Sequence, residues 1–357
     1  MSDDDRGRHG LSAPGGREAP YHLFDLGDVV LQSGRTLRGA QLAYQTYGTL
    51  ADDASNVVLY PTWYSGRHWE NEWLIGEGLA LDPARYFIVV PNMLGNGLSS
   101  SPSNTAPPQD RARFPDVTML DNVDCQHRLL TEHLGVSSLE LVVGWSMGAG
   151  QTWQWAVRYP EMVRRMLPFC GSPRTSDHNT VFLEGVKAAL TADAAWQGGW
   201  YDQQPQRGLR AAARVYAGWG FSQAFYWQER WRELGFASLE DFLVGFWEDF
   251  FLDDRDANNL LTMLWTWQHA DVGATPGFDG DTVAALRSIR APGLDLPAHK
   301  DLYFPPEDER WAGEHVGTVE VREIPGVWGH FAGGGANAED VAFIDAAVRE
   351  VLAMPPA

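Results

Sequence analysis

The sequence predicts an α/β fold in which a mainly parallel sheet is flanked by helices and interrupted by an inserted helical cap. Three observations predict it. Short apolar runs alternate with stretches of helical period, the pattern of strands covered by helices. That rhythm breaks between about residues 172 and 288, where the chain reads as helical and unusually aromatic, and it then resumes. A chain of 357 residues, 44% apolar and 21% charged, can bury one large core that carries such an insertion.

Residues 1–20, "MSDDDRGRHGLSAPGGREAP", are polar and rich in Gly and Pro, without the apolar segment of a signal peptide, and predict a disordered leader. Segments 22–31 and 40–47 read as an antiparallel pair at the sheet edge. The apolar runs "NVVLYP" (56–61), "YFIVVP" (86–91), "LELVVG" (139–144) and "RMLPFC" (165–170) read as strands, as do 293–297 and "TVEVREI" (318–324). Between them, residues 119–135 and 149–160 carry helical period, the first ended by Gly135 and the second by Pro160. The core is thus expected at 21–171 and 289–357, with the cap at 172–288. The cap holds Trp196, Trp200, Trp219, Trp227, Trp231, Trp247, Trp265 and Trp267, half of the chain's tryptophans. Most are expected to pack cap helices together and one or two to reach a pocket at the sheet's C-terminal edge, where open α/β sheets bind ligands.

A net charge of -20 argues against nucleic acid or an anionic membrane surface as partner. No apolar run approaches the ~20 residues that span a bilayer. Cys125 and Cys170, the only cysteines, form neither a disulfide framework nor a zinc site by themselves. The expectation is a cytoplasmic protein without metal or organic cofactor. Its partner would be a small molecule rather than a nucleic acid or membrane, with a homodimer as the possible assembly.

Chemistry enters at Gly144-Trp-Ser-Met-Gly148. A strand that ends in Gly-x-Ser-x-Gly and turns at once into a helix forms a tight elbow that lifts its serine above the sheet edge. Ser146 is therefore the expected nucleophile, and the Met147 N–H an oxyanion donor at the same spot. A serine needs a base and an orienting acid, which in this architecture follow in the order Ser, acid, His. "LDLPAHKDLYFPPED" offers Asp295, Asp301, Glu307 and Asp308. Asp295 falls inside the strand, and Glu307 and Asp308 begin a helix, so Asp301 in the loop past the strand is chosen. His330 lies in a glycine-bounded loop after the last strand; His299 precedes the acid and His315 precedes the strand. The second oxyanion donor is expected in "PTWYSG" (61–66), at Tyr64, with Trp63 or Thr62 as alternatives; Trp63 is also taken as a substrate contact.

"GWSMGAGQTWQWAVRYPEMVRRMLPFCGSPRTSDHN", "QPQRGLRAAARVYAG", "KDLYFPPED", "LAYQTYGTL" and the Gly-His at 329–330 resemble the homoserine O-acetyltransferase family of the α/β-hydrolase superfamily. The resemblance covers nearly all of the chain after residue 20. It implies an α/β-hydrolase fold, a Ser146–His330–Asp301 triad, an acyl-enzyme and a helical lid. Arg207 matches a family arginine associated with the substrate carboxylate, which implies that an anionic group is read there. Two departures stand out: the family's acid after the catalytic His is Phe331 here, and its oxyanion loop, Cys-His-Ala-Leu-Thr-Gly, is Pro-Thr-Trp-Tyr-Ser-Gly. A pocket with Phe331 in place of that acid is not expected to hold the ammonium group of homoserine. Hydrolysis of a small-molecule ester is the expected reaction. Acyl transfer, with acetyl-CoA as co-substrate, is the alternative, and a non-catalytic binding protein on the same fold a remote one.

Overall fold

The computed structural model describes residues 19–357. All but the last two residues of the predicted leader therefore lie outside the described residues. One eight-stranded sheet runs in the order β1-β2-β4-β3-β5-β6-β7-β8. β1 (His22–Val30) and β2 (Thr36–Tyr47) form the antiparallel pair at its edge, and β2 also runs antiparallel to β4 (Phe87–Pro91). β3 (Val57–Leu59), β5 (Leu141–Trp145), β6 (Met166–Phe169), β7 (Gly293–Asp295) and β8 (Val319–Val321) continue it in parallel. β3 to β6 are buried along their whole length, which is why they read as unbroken apolar runs: a parallel sheet is covered on both faces.

Successive strand residues supply the two faces in turn. Val57, Leu59, Val142 and Met166 join one core cluster, while Val58, Leu141, Val143 and Leu167 join the other. α1 (Met119–Arg128), which begins in a Thr118–Asp121 capping box, supplies Val123 and Cys125 to the first face. α2 (Met147–Arg158) adds Trp153 and Trp155 to it. The second cluster takes in Ile344, Ala347 and Val348 near the C-terminus, and residues of the cap join it as well.

The cap contains α3 (Asp177–Thr191), α4 (Gln206–Gly220), α5 (Gln223–Trp227), α6 (Leu239–Phe242), α7 (Asp249–Leu252) and α8 (Ala257–Gln268), with wider π turns at Leu243–Glu248 joining α6 to α7. It leaves and rejoins the core at one place, where Arg174 bridges Asp271 and the Thr175 N–H donates to the Ala270 carbonyl at 2.9 Å. The cap therefore closes near residue 271 rather than at 288. α9 (Thr282–Arg287), inside the expected cap, instead sends Ala285 and Leu286 into the core cluster of α1 and α2 on the opposite sheet face. α10 (Pro306–Gly313) and α11 (Ala338–Ala353) complete the core. Among the described residues no helix is long and apolar enough to cross a membrane.

Candidate active site

β5 ends at Trp145 and α2 begins at Met147, so Ser146 is the whole turn between them. It takes φ 58° and ψ −124°, a conformation that non-glycine residues rarely adopt. The neighbouring glycines make that turn sterically feasible. A Cβ on Gly144 would stand 2.2 Å from the Gly148 carbonyl oxygen, and one on Gly148 would stand 2.8 Å from that of Pro61. The strand and helix can pack this tightly only without side chains there.

Three buried side chains then meet in a hydrogen-bonded line. Ser146 Oγ lies 2.9 Å from His330 Nε2, and His330 Nδ1 lies 2.8 Å from Asp301 Oδ2. An acceptor-only carboxylate fixes the proton on Nδ1, which leaves Nε2 free to accept from the Ser146 hydroxyl. The other Asp301 oxygen accepts the N–H groups of Tyr303, at 2.8 Å, and Phe304, at 3.1 Å. Its orientation is fixed by the loop that carries it. The imidazole is held as firmly: Trp145 stacks on it with centroids 5.1 Å apart, and Tyr303 meets it at a steep angle at 4.7 Å.

The rival residues lie elsewhere. Asp295 sits in β7, fully buried beside Glu309, and burial raises both carboxyls far above their ordinary range. Glu307 and Asp308 occupy the first turn of α10. His299 is an exposed partner of Glu323, and His315 packs against Trp311.

Met147, at the first position of α2, has an N–H with no intrahelical partner. In the facing loop the Thr62 N–H donates to the Pro91 carbonyl and is occupied, whereas no described residue accepts from the amides of Trp63 or Tyr64. The side chains of both line the pocket above Ser146.

That pocket encloses about 380 Å³ including its mouth, small for a ligand site. Trp63, Tyr64, Trp145, Tyr216, Phe246, Trp247, Phe250, Tyr303 and Phe331 form its walls around Ser146 and His330. No lining residue is acidic, and burial raises the phenols of Tyr64, Tyr216 and Tyr303 so that they stay neutral. Phe331, stacked on Phe221 at 4.5 Å, also lines this space. Of the eight cap tryptophans only Trp247 lines it; Trp227 is 88% exposed. Arg207 requires a correction. It lies exposed in the first turn of α4, near Asp193, because that helix buries Leu209, Ala212, Ala213 and Tyr216 instead. It takes no part in the pocket wall.

Sequence reasoning missed Trp145, Tyr303 and Phe304 as supports of the His330 ring. Their positions, inside the Gly-x-Ser-x-Gly motif and just after Asp301, were the available signal. Among the described residues no group of three His, Cys, Asp or Glu side chains is placed to hold a metal ion.

The chain is similar to known proteins of one fold family. A family model of the alpha/beta hydrolase fold matches residues 56–252. The chain is 40% identical over 339 residues to an ethyl acetate hydrolase of Pseudomonas veronii, covering 94% of this chain and 96% of that one. It is 34% identical over 315 residues to a homoserine O-acetyltransferase of Chlorobaculum tepidum, covering 85% and 87%. The solved structure of the acetyl esterase MekB superposes with a TM-score of 0.91 at 40% identity, covering 94% and 97%.

Proposed function

The chain belongs to the α/β-hydrolase fold family, and on that premise we propose that it hydrolyses small, uncharged carboxylic esters, acetate esters among them, through an acyl-enzyme on Ser146. The observation that carries the reading is the Ser146–His330–Asp301 line opening into an aromatic pocket without an acidic wall. The resemblance to an ethyl acetate hydrolase and an acetyl esterase supports it.

In this reading the Ser146 oxygen attacks the ester carbonyl carbon as its proton passes to His330 Nε2. The amides of Met147 and Tyr64 receive the developing oxyanion. Asp301 holds the imidazole in the tautomer that can accept, and stabilises the imidazolium once formed. Collapse expels the alcohol, which takes the proton from His330. Water then attacks the acyl-enzyme with His330 again as base, and the acid leaves as Ser146 recovers its proton. No cofactor takes part, and the protein is read as cytoplasmic.

Acyl transfer to homoserine is the competing reading, supported by the homoserine O-acetyltransferase relative. Phe331 weighs against it. An ammonium group buried against that ring without an anionic partner would cost several kcal/mol. The deciding experiment measures ethyl acetate and p-nitrophenyl acetate hydrolysis beside acetyl transfer from acetyl-CoA to L-homoserine. Ester turnover with negligible homoserine acetylation is expected. Homoserine acetylation at a rate comparable to the best ester would overturn the proposal.

A further inference from the structure

The loop that carries the proposed second oxyanion donor is held from above, by the cap. Tyr64 Oη donates to the Leu260 carbonyl at 3.2 Å, and the Ser65 N–H points at Met263 Sδ at 3.3 Å; both partners lie on α8. Ser65 itself sits at φ 55°, a left-handed conformation that a serine holds only when its surroundings impose it.

The group that reaches the Ser65 side chain is Arg255, in the short segment between α7 and α8. Its guanidinium is almost wholly buried, with the side chain 5% exposed. Nε reaches Ser65 Oγ at 3.3 Å, one terminal nitrogen donates to the Phe250 carbonyl at 2.9 Å, and the other faces Glu70 Oε1 at 3.3 Å. The same guanidinium lies 3.7 Å from the ring centroid of Phe250, a pocket wall. Glu70 in turn accepts the Arg67 N–H at 2.7 Å, and the Arg67 guanidinium reaches back to Asp254. Core loop and cap thus exchange arginines: Arg67 grips the cap, and Arg255 grips the loop beside Tyr64.

We propose that Arg255 is a positioning residue for catalysis: by fixing the Ser65 turn from the cap it aims the Tyr64 amide at the oxyanion. It touches neither substrate nor Ser146. An oxyanion donor contributes only when it stands at hydrogen-bond distance from the oxygen of the tetrahedral intermediate, so a donor on a loosened turn loses its effect in the transition state while the bound ester is little changed. The consequence is a loss in kcat with KM preserved.

This inference rests on the acyl-enzyme reading above, and its test separates the two. A short alkyl trifluoromethyl ketone adds to Ser146 Oγ, passing that proton to His330 and placing an oxyanion where the intermediate's would be. If the wild-type enzyme is not inhibited by the ketone, the acyl-enzyme reading itself fails. If it is, Arg255→Lys is measured next. Lysine keeps a positive charge facing Glu70 but cannot also reach Ser65 and Phe250. The expected result is a kcat lower by about 10- to 100-fold, KM within about 2-fold, and ketone affinity weakened in step with kcat, because full loss of one donor costs about 10²–10³. Ser65→Ala, which removes only the hydroxyl, should move the same two readouts in the same direction by a smaller factor, and it decides the matter if Arg255→Lys does not fold. Unchanged kcat and ketone affinity in the folded variants would overturn the proposal. So would a rise in KM alone, which would assign Arg255 to the pocket wall through Phe250.

Discussion

The indole of Trp145 lies over the imidazole of His330, 5.1 Å between centroids, and its N–H donates to the His330 carbonyl at 3.1 Å. The residue next to Ser146 thereby holds both the ring and the backbone of His330. Trp145→Phe keeps a ring face and loses the hydrogen bond, at a net cost of about 0.5–1.5 kcal/mol. Urea unfolding should show that loss and initial rates a kcat about 10-fold lower. Full stability with unchanged kcat would show that the Trp145 hydrogen bond holds nothing.

Ser146→Ala should abolish turnover and covalent labelling by a fluorophosphonate while the fold survives. Loss of a triad nucleophile costs ~10⁴-fold or more in rate. Circular dichroism and intact-protein mass after labelling check it, and a labelled, folded Ser146→Ala protein would move the nucleophile elsewhere.

Asp301→Asn should reduce kcat by roughly 10³ to 10⁴, because an amide in place of the carboxylate permits the wrong imidazole tautomer. Asp308→Asn, on the first turn of α10, should change kcat by less than about 3-fold. Steady-state kinetics of the two variants side by side separate them. A reversal of that ranking would break the assignment of the acid.

Asp295 and Glu309 give the protein a pH-dependent stability unrelated to turnover. Both are fully buried, and neither carboxyl has a donor from any other described residue, so they hold a proton between them and titrate far above the ordinary range. In the unfolded chain both would ionise near pH 4. Above that pH the folded state binds more protons than the unfolded one, so the stability they contribute is complete below about pH 4 and falls as pH rises, by up to about 1.4 kcal/mol per pH unit per proton. Glu309→Gln, whose amide donates to Asp295 at any pH, should flatten that slope between pH 5 and 8. Denaturant midpoints across the range measure it, and parallel wild-type and variant slopes would refute it.

How much of this was legible in the sequence follows from which forces are local. The four inner strands were readable because burial on both faces leaves them continuously apolar, and Ser146 because the elbow needs glycines at fixed offsets. Asp301 and His330 followed from chain order once the strands were placed. The cap's closing point was not readable, since α9 has the same helical period whether it packs over the sheet or beneath it. Arg207 was misplaced for a different reason: its reading came from the resemblance, which carries a residue type to a position but does not show which neighbour faces it. Arg255 was invisible because its partner Glu70 is 185 residues distant, and no local pattern encodes such a pairing.

The walls of the pocket also set the direction of traffic through it. An uncharged ester enters an aromatic chamber by giving up little hydration. The acid that leaves is an anion at neutral pH, and among the described lining residues none offers it a permanent positive charge. Retaining a bare carboxylate there would cost several kcal/mol, and a chain of net charge -20 repels its return. Hydrolysis thus converts a tenant suited to the chamber into one that is evicted, so accumulated product should barely compete with fresh ester, and the site empties itself after every cycle.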